Sequence, residues 1–191
     1  MAYYKMTANT LNARKGWPFA GPVDIKAAFS AASLAARSPV RRGSVLHLSS
    51  TGLYELGVGI LQVMPLFLFH DSNEPDVIND GGDPATDFGA WLPLVPAGEA
   101  MALVGNMALE LTSSQYVTGG EITYPPNTPL TSPCLGDGEG EDDETAGKLV
   151  EGVIYTDMIV GFVSQGLIPN GFGTGEVLAF WVHPVFPVRG E

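Results

Sequence analysis

From Arg42 onward the chain is written in short apolar or alternating runs, each closed by Gly or Pro, and this punctuation constrains the fold more than any other feature. Strands are predicted at Val45–Leu48, Leu53–Leu56, Gln62–Phe69, Met101–Val104, Ala108–Leu111, Ile122–Tyr124, Leu149–Tyr155, Met158–Gln165 and Glu176–Val182. Between them stand turn signals: Thr51-Gly52, Pro96-Ala97-Gly98-Glu99, Thr118-Gly119-Gly120, Pro125-Pro126-Asn127-Thr128-Pro129 and Pro169-Asn170-Gly171. The last, with Gly173 and Gly175 behind it, fits a hairpin loop, because Asn-Gly and lone Gly take positive φ without a Cβ penalty. No helical pattern of substance interrupts this stretch, which argues against a parallel sheet with crossover helices. The expected class is mainly β, an antiparallel sandwich or barrel.

The residues before this stretch differ in both grammar and charge. Residues 1–44 hold seven of the nine basic side chains against one acid, Asp24, a net of +6, whereas the remaining residues hold Lys148 and Arg189 against twenty acids, a net of −18. Gly16-Trp17-Pro18 and Gly21-Pro22 break regular structure near the start. Asp24 then reads as the N-cap of an Ala-rich helix over Ile25–Arg37, stopped by Ser38-Pro39. The expected organisation is an extended basic N-terminal arm with one short helix (1–44) on an acidic β body (45–191). Such asymmetry acts on association rather than on fold, so it points to two surfaces with different partners.

Charged residues are only 16% of the chain and hydrophobic ones 45%, so much of the surface must be uncharged or apolar and is expected to be covered by partners. A single cysteine, Cys134, excludes an intramolecular disulfide framework and a cysteine-based zinc site. Met1–Thr10 lacks the apolar core of a signal peptide, and the apolar run Leu56–Phe69 is broken by Gly57, Gly59, Gln62 and Pro65. The expectation is a soluble chain, cytoplasmic at synthesis, with no membrane partner.

Four features of the sequence bear on chemistry. Two acidic segments, Asp71–Asp87 and Gly136–Gly147, read as solvated loops, because like charges at that density disfavour packing. Neither follows a calcium-loop pattern: Asp71-Ser72-Asn73-Glu74-Pro75-Asp76 has Pro and Asp where a third ligand and a glycine belong, and Asp137–Asp142 lacks the sixth-position Gly. The three histidines, His47, His70 and His183, stand in no nucleophile motif, and His47 in Val-Leu-His-Leu reads as a surface strand residue. The clusters Gly57-Val58-Gly59 and Gly171–Gly175 do not open a helix and so do not cradle phosphate. An acidic body repels a phosphate backbone, which argues against direct nucleic-acid binding. No enzyme activity, cofactor or metal is expected.

The order of features after Arg42 resembles that of the capsid decoration, or cement, proteins of tailed bacteriophages. The likeness is carried by Arg42–Leu56 as a turn, strand, turn and strand, by Pro96-Ala97-Gly98-Glu99 leading into apolar strands, by Ser113-Ser114-Gln115-Tyr116 and Tyr124–Thr131, and by Ile159–Gly166 followed by Val177–Trp181. These are strand-and-turn patterns without a catalytic fingerprint, and the long arm departs from the most compact members.

The resemblance implies a structural virion protein that binds the outside of the capsid, with the major capsid protein and its own copies, as a homotrimer, for partners. Forty-four extended residues would reach on the order of 140 Å, enough to bridge neighbours. Aromatic residues and Arg dominate interface energy, which selects Trp17, Phe19, Phe29, Leu34 and Trp181 as anchors and Arg14, Lys15, Arg37, Arg41 and Arg42 as rim charges. The plainer account is that the aromatics cover the chain's own core and the charges form a solvated face. A tail-tube or head-completion protein and a carbohydrate-binding β-sandwich stay open as alternatives.

Overall fold

The computed structural model describes residues 11–15, 24–37, 40–68, 99–103, 110–119, 122–136, 144–170 and 175–188. Eleven strands and one helix occur among them: β1 Leu11–Lys15, β2 Asp24–Ala28, α1 Ala31–Ala36, β3 Val45–Leu48, β4 Tyr54–Leu56, β5 Leu66–Leu68, β6 Glu99–Leu103, β7 Glu110–Ser113, β8 Pro129–Thr131, β9 Val150–Glu151, β10 Ile159–Pro169 and β11 Glu176–Val185. They form two antiparallel sheets, one ordered β1-β7-β11-β10-β8-β9 and the other β2-β6-β5-β3-β4. The mainly β, antiparallel expectation therefore holds.

Side chains from both sheets meet in one core. Val45 of β3 and Phe67 of β5 cluster with Leu111, Leu130, Val160, Val163, Leu178, Phe180 and Val182 of the six-stranded sheet. The Phe67 and Phe180 rings lie 5.6 Å apart across the interlayer space, which makes the arrangement a sandwich. Because successive strand residues face opposite sides, Leu46, Leu66 and Leu68 point away from that core. There they bury a second cluster with Ala27, Phe29, Val40, Tyr54, Leu56 and Ala146. The β3 and β5 strands are thus buried on both faces, and Leu66–Leu68 reads as a continuous apolar run rather than a strict alternation.

The helix predicted over Ile25–Arg37 is corrected. Asp24–Ala28 is a strand whose five residues pair with Glu99–Leu103, and the helix spans only Ala31–Ala36. Its N-cap is Ser30, whose Oγ accepts from the Ser33 N–H, not Asp24. Alanine favours helix by a few tenths of a kcal/mol per residue, and a full ladder of sheet hydrogen bonds outweighs it. Ser33 Oγ accepts from the Leu56 N–H at 3.2 Å, so the helix start is fastened to β4. At the other end Arg37 is extended and its N–H donates to the Ser33 carbonyl, which closes the last turn.

Both β1 and β2 belong to residues 1–44, and each forms an edge of one sheet. The change of charge near Arg42 is therefore not a change of structural layer. Ile122–Tyr124, expected as a strand, is irregular, while Pro129, expected as the last residue of a turn, opens the strand β8. The late hairpin is as expected: β10 and β11 pair antiparallel, and the Asn170 N–H donates to the Gly175 carbonyl.

A candidate functional site: an apolar face built from three loops

Beyond β4 the chain leaves the sheet at Gly57, whose φ of +77° suits glycine. A Cβ there would stand 1.8 Å from the Pro133 carbonyl oxygen, so a side chain is excluded outright. The Val58 and Gly59 N–H groups both donate to the Ser132 carbonyl, which ties this loop to the chain beyond β8. Val58 is buried, Leu61 N–H closes a turn onto its carbonyl, and Ile60 is carried outward on that turn.

A second loop follows β9. The Val153 N–H donates to Asp157 Oδ2 at 2.6 Å, and the Thr156 and Asp157 N–H groups donate to the Val153 carbonyl. Tyr155 in this turn has φ +74°, an uncommon conformation for a bulky side chain that costs ~1–3 kcal/mol. The third segment is the chain after β11, Phe186 to Val188. Three hydrogen bonds lace the segments together: Met158 N–H to Gly59 O at 2.8 Å, Val188 N–H to Tyr155 O at 2.9 Å, and Gln62 Nε2 to Pro187 O at 2.9 Å.

The result is one face on which large apolar side chains are held out. Tyr155 and Val188 are each 65% exposed, Ile60 64% and Val153 62%, with Leu61, Met64, Ile154 and Phe186 beside them. Eight large apolar residues exposed on three adjoining loops make a denser apolar surface than the single scattered ones usual on a monomer. Within residues 58–65, 152–158 and 186–188 the sole charged side chain is Asp157, one of whose carboxylate oxygens accepts from the Val153 N–H.

Elsewhere the polar groups hold the fold. His47, expected at the surface, is buried on β3. Its Nδ1 lies 2.7 Å from the Gly57 carbonyl, which can only accept, so Nδ1–H is the donor, and Nε2 lies 3.4 Å from Glu55 of the paired strand. Burial is the physical reason for the difference, because His47 shares with Val45 the face of β3 that packs on the other sheet. Glu110 is wholly buried, with the Ser164 hydroxyl donating to Oε1 at 2.6 Å. A cleft of ≈ 340 Å³ is lined by Val117, Ile122, Thr123, Tyr124, Val150 and Glu151. Tyr124 at its wall donates to the Val117 carbonyl at 2.8 Å, and burial, reinforced by Tyr116, pushes its hydroxyl up to about 12. That phenol stays protonated near neutrality and acts as a structural donor, not a base. Among the described residues no group of three His, Cys, Asp or Glu side chains is placed to hold a metal. Also among them, no helix is long and apolar enough to cross a membrane.

Among the described residues, the predicted interface set falls into different environments. Phe29 is a correction: it is buried in the chain's own core, edge-on to Tyr54 with ring centroids 5.4 Å apart, because the Phe29–Tyr54 bridge draws it onto β4. Leu34 is exposed on α1, Arg41 is exposed and Arg42 is half-buried ahead of β3. Arg37 turns inward, its Nη2 donating to the Glu144 carbonyl at 2.6 Å. Desolvation lowers the Arg37 guanidinium below its ordinary value despite Glu144, and desolvation followed by Arg37 itself lowers Lys148. Trp181 is half-buried on β11, opposite Phe162 of β10. Arg14 and Lys15 lie on β1, while Trp17 and Phe19 lie outside the described residues, as do His70, Trp91 and most of both acidic segments.

Sequence reading missed the face because its residues looked like strand interior: Val153 to Tyr155 fell inside a predicted strand, and Ile60 and Leu61 inside an apolar run. The available signal was Gly57-Val58-Gly59 ahead of Ile60-Leu61, a turn that carries two large apolar side chains where polar ones are usual. No protein-family model, curated protein or solved structure matches this chain.

Proposed function

We propose that the chain is a structural virion protein of a tailed bacteriophage, a decoration protein that binds the outside of the capsid and stabilises the shell. The observation that carries this reading is the preformed apolar face on a doubly packed β framework. A cement protein works by contact area and stiffness, and an ordered, mainly apolar face supplies both without chemistry. The resemblance described above adds the partner, the major capsid protein, and the virion surface as the place of action. The acidic exterior fits a protein that must stay soluble and bind one partner in crowded lysate, since net charge opposes non-specific association.

The test is addition of the purified chain to expanded shells that lack it. Saturation at a fixed ratio to the shell protein, with a higher temperature of shell disruption, is the expected result. Absence of saturable binding would sink the reading, and sixfold rings or tubes formed by the chain alone would move it to the tail-tube or head-completion class.

A further inference from the structure

We infer that the open edge of β9 at Glu151 takes a short extended peptide segment of another protein, one that carries a basic side chain. The inference goes beyond the shell-binding reading and does not rest on it.

β9 is the last strand of the six-stranded sheet and pairs only with β8. The Gly152 N–H donates to the Pro129 carbonyl, so residues 150 and 152 turn their backbone groups toward β8, while 149 and 151 turn theirs outward. On that outer side a parallel ladder begins at the Tyr116–Leu149 bridge. The Leu149 N–H donates to the Gln115 carbonyl, and the Leu149 carbonyl accepts from the Val117 N–H. The next rung would join the Glu151 N–H to the Val117 carbonyl. It is not made, because the Tyr124 hydroxyl lies 2.8 Å from that carbonyl and donates to it, with the Leu149 carbonyl 3.3 Å away. The two segments diverge from there, and the cleft of ≈ 340 Å³ stands between them, with Val117 and Tyr124 on one side and Val150 and Glu151 on the other.

Three properties of this edge select the occupant. The first is its hydrogen-bond pattern: among the described residues, the outward N–H and carbonyl of Glu151 meet no backbone partner. One residue thus offers a donor and an acceptor side by side in strand geometry, and their complement is the acceptor and donor of another extended backbone. The footprint is short, since the following outward N–H, that of Val153, is held by Asp157. The second property is shape. A cleft of ≈ 340 Å³ is at the low end of the ~300–1,000 Å³ usual for binding pockets, and Val117, Ile122 and Val150 give it an apolar wall for a side chain. The third is charge. Glu151 is exposed and is the one acid or base of the lining, in a chain of net charge −12, so a basic side chain is attracted and an acidic one repelled. Lysine satisfies both walls, laying its stem on the apolar side and its ammonium at Glu151.

The experiment is a heteronuclear NMR titration of the full chain with N-acetyl-valyl-lysine N-methylamide. Its comparison ligands are the same peptide with norleucine for lysine, the same peptide with an ester oxygen for the lysine N–H, and maltose. Glu151→Pro removes the outward N–H without touching the β8 ladder, at an edge position where proline is tolerated. Glu151→Gln removes the charge and keeps the N–H. Circular dichroism melting checks that each variant is folded, and the ester peptide, which needs no variant, keeps the test open if Glu151→Pro fails to fold. The expected result is a saturable shift centred on the Val117 and Glu151 amides, with a dissociation constant on the order of 1 mM. The norleucine and ester peptides should bind about fivefold more weakly, and Glu151→Pro should weaken the lysine peptide about tenfold. Glu151→Gln should erase the preference for lysine over norleucine. No saturation by the lysine peptide up to about 20 mM overturns the inference. So do ester or norleucine peptides that bind as well as the parent, and a folded Glu151→Pro that binds like wild type. Maltose saturating the same amides where the peptide does not overturns it in favour of a sugar site.

Discussion

Residues 1–44 and the residues after them carry opposite net charge, yet both contribute strands to the same two sheets. The first region supplies an edge strand to each sheet and the short helix, while the second supplies the central strands, the late hairpin and the apolar end face. The two regions meet on β4. Tyr54 receives the Phe29 ring, the Leu56 N–H donates to Ser33 Oγ, and Gly57 then turns the chain toward the exposed loop. Charge is a surface property that governs what the molecule meets, and it says little about which strands hydrogen-bond. A positive segment can be stitched into an acidic body so long as its apolar residues find the core.

The comparison breaks most sharply at Gly57, on which both regions depend. Gly57→Ala is expected to cost roughly 4 kcal/mol or more, or to abolish folding, since its Cβ would overlap the Pro133 carbonyl. Gly52→Ala has a similar φ, +78°, but open space around it, so only the ~1–2 kcal/mol of left-handed strain is expected. Equal denaturation midpoints for the two variants would show that the turn at Gly57 does not bind the regions together.

Phe29→Ala comes next. If residues 1–44 are part of one cooperative fold, truncating this buried ring costs about 3 kcal/mol, in the range expected for Phe67→Ala in the shared core. Urea unfolding followed by circular dichroism measures both. A full loss for Phe67→Ala with no loss for Phe29→Ala would restore the picture of an independent arm.

The smallest effect concerns the later region alone. Folding raises the Tyr124 hydroxyl from its ordinary ~10 to about 12, so the folded state holds this proton more tightly than the unfolded one. The associated stability is complete below about pH 10 and is lost as pH rises toward about 12. Tyr124→Phe should therefore flatten the fall in stability between mildly and strongly alkaline solution. An unchanged slope would assign that fall to other groups.

Much of the fold was legible in the chain because β structure leaves a local signature. Val45–Leu48 and Glu176–Val182 are alternating or continuous apolar runs, and Gly52 and Asn170-Gly171 stand where hairpins turn. What was not legible depended on partners distant in sequence. Asp24–Ala28 has helical composition and became a strand because Glu99–Leu103 lay ready to pair with it. Pro129 looked like the end of a turn and opens β8 because Gly161 and Phe162 sit opposite Leu130 and Pro129. His47 looked superficial, yet it shares with Val45 the face of β3 that packs on the other sheet.

By itself, then, the sequence determined a β-rich, Gly- and Pro-punctuated fold and an acidic molecule with a basic beginning, since both follow from local pattern and composition. Only the tertiary structure decided that the basic beginning enters both sheets. It alone decided that Ile60, Val153, Tyr155 and Val188 converge on one exposed face. Ile60, Val153 and Tyr155 lie in sequence within apolar or strand-like runs, and which of them face water is settled by where the long-range hydrogen bonds place the loops.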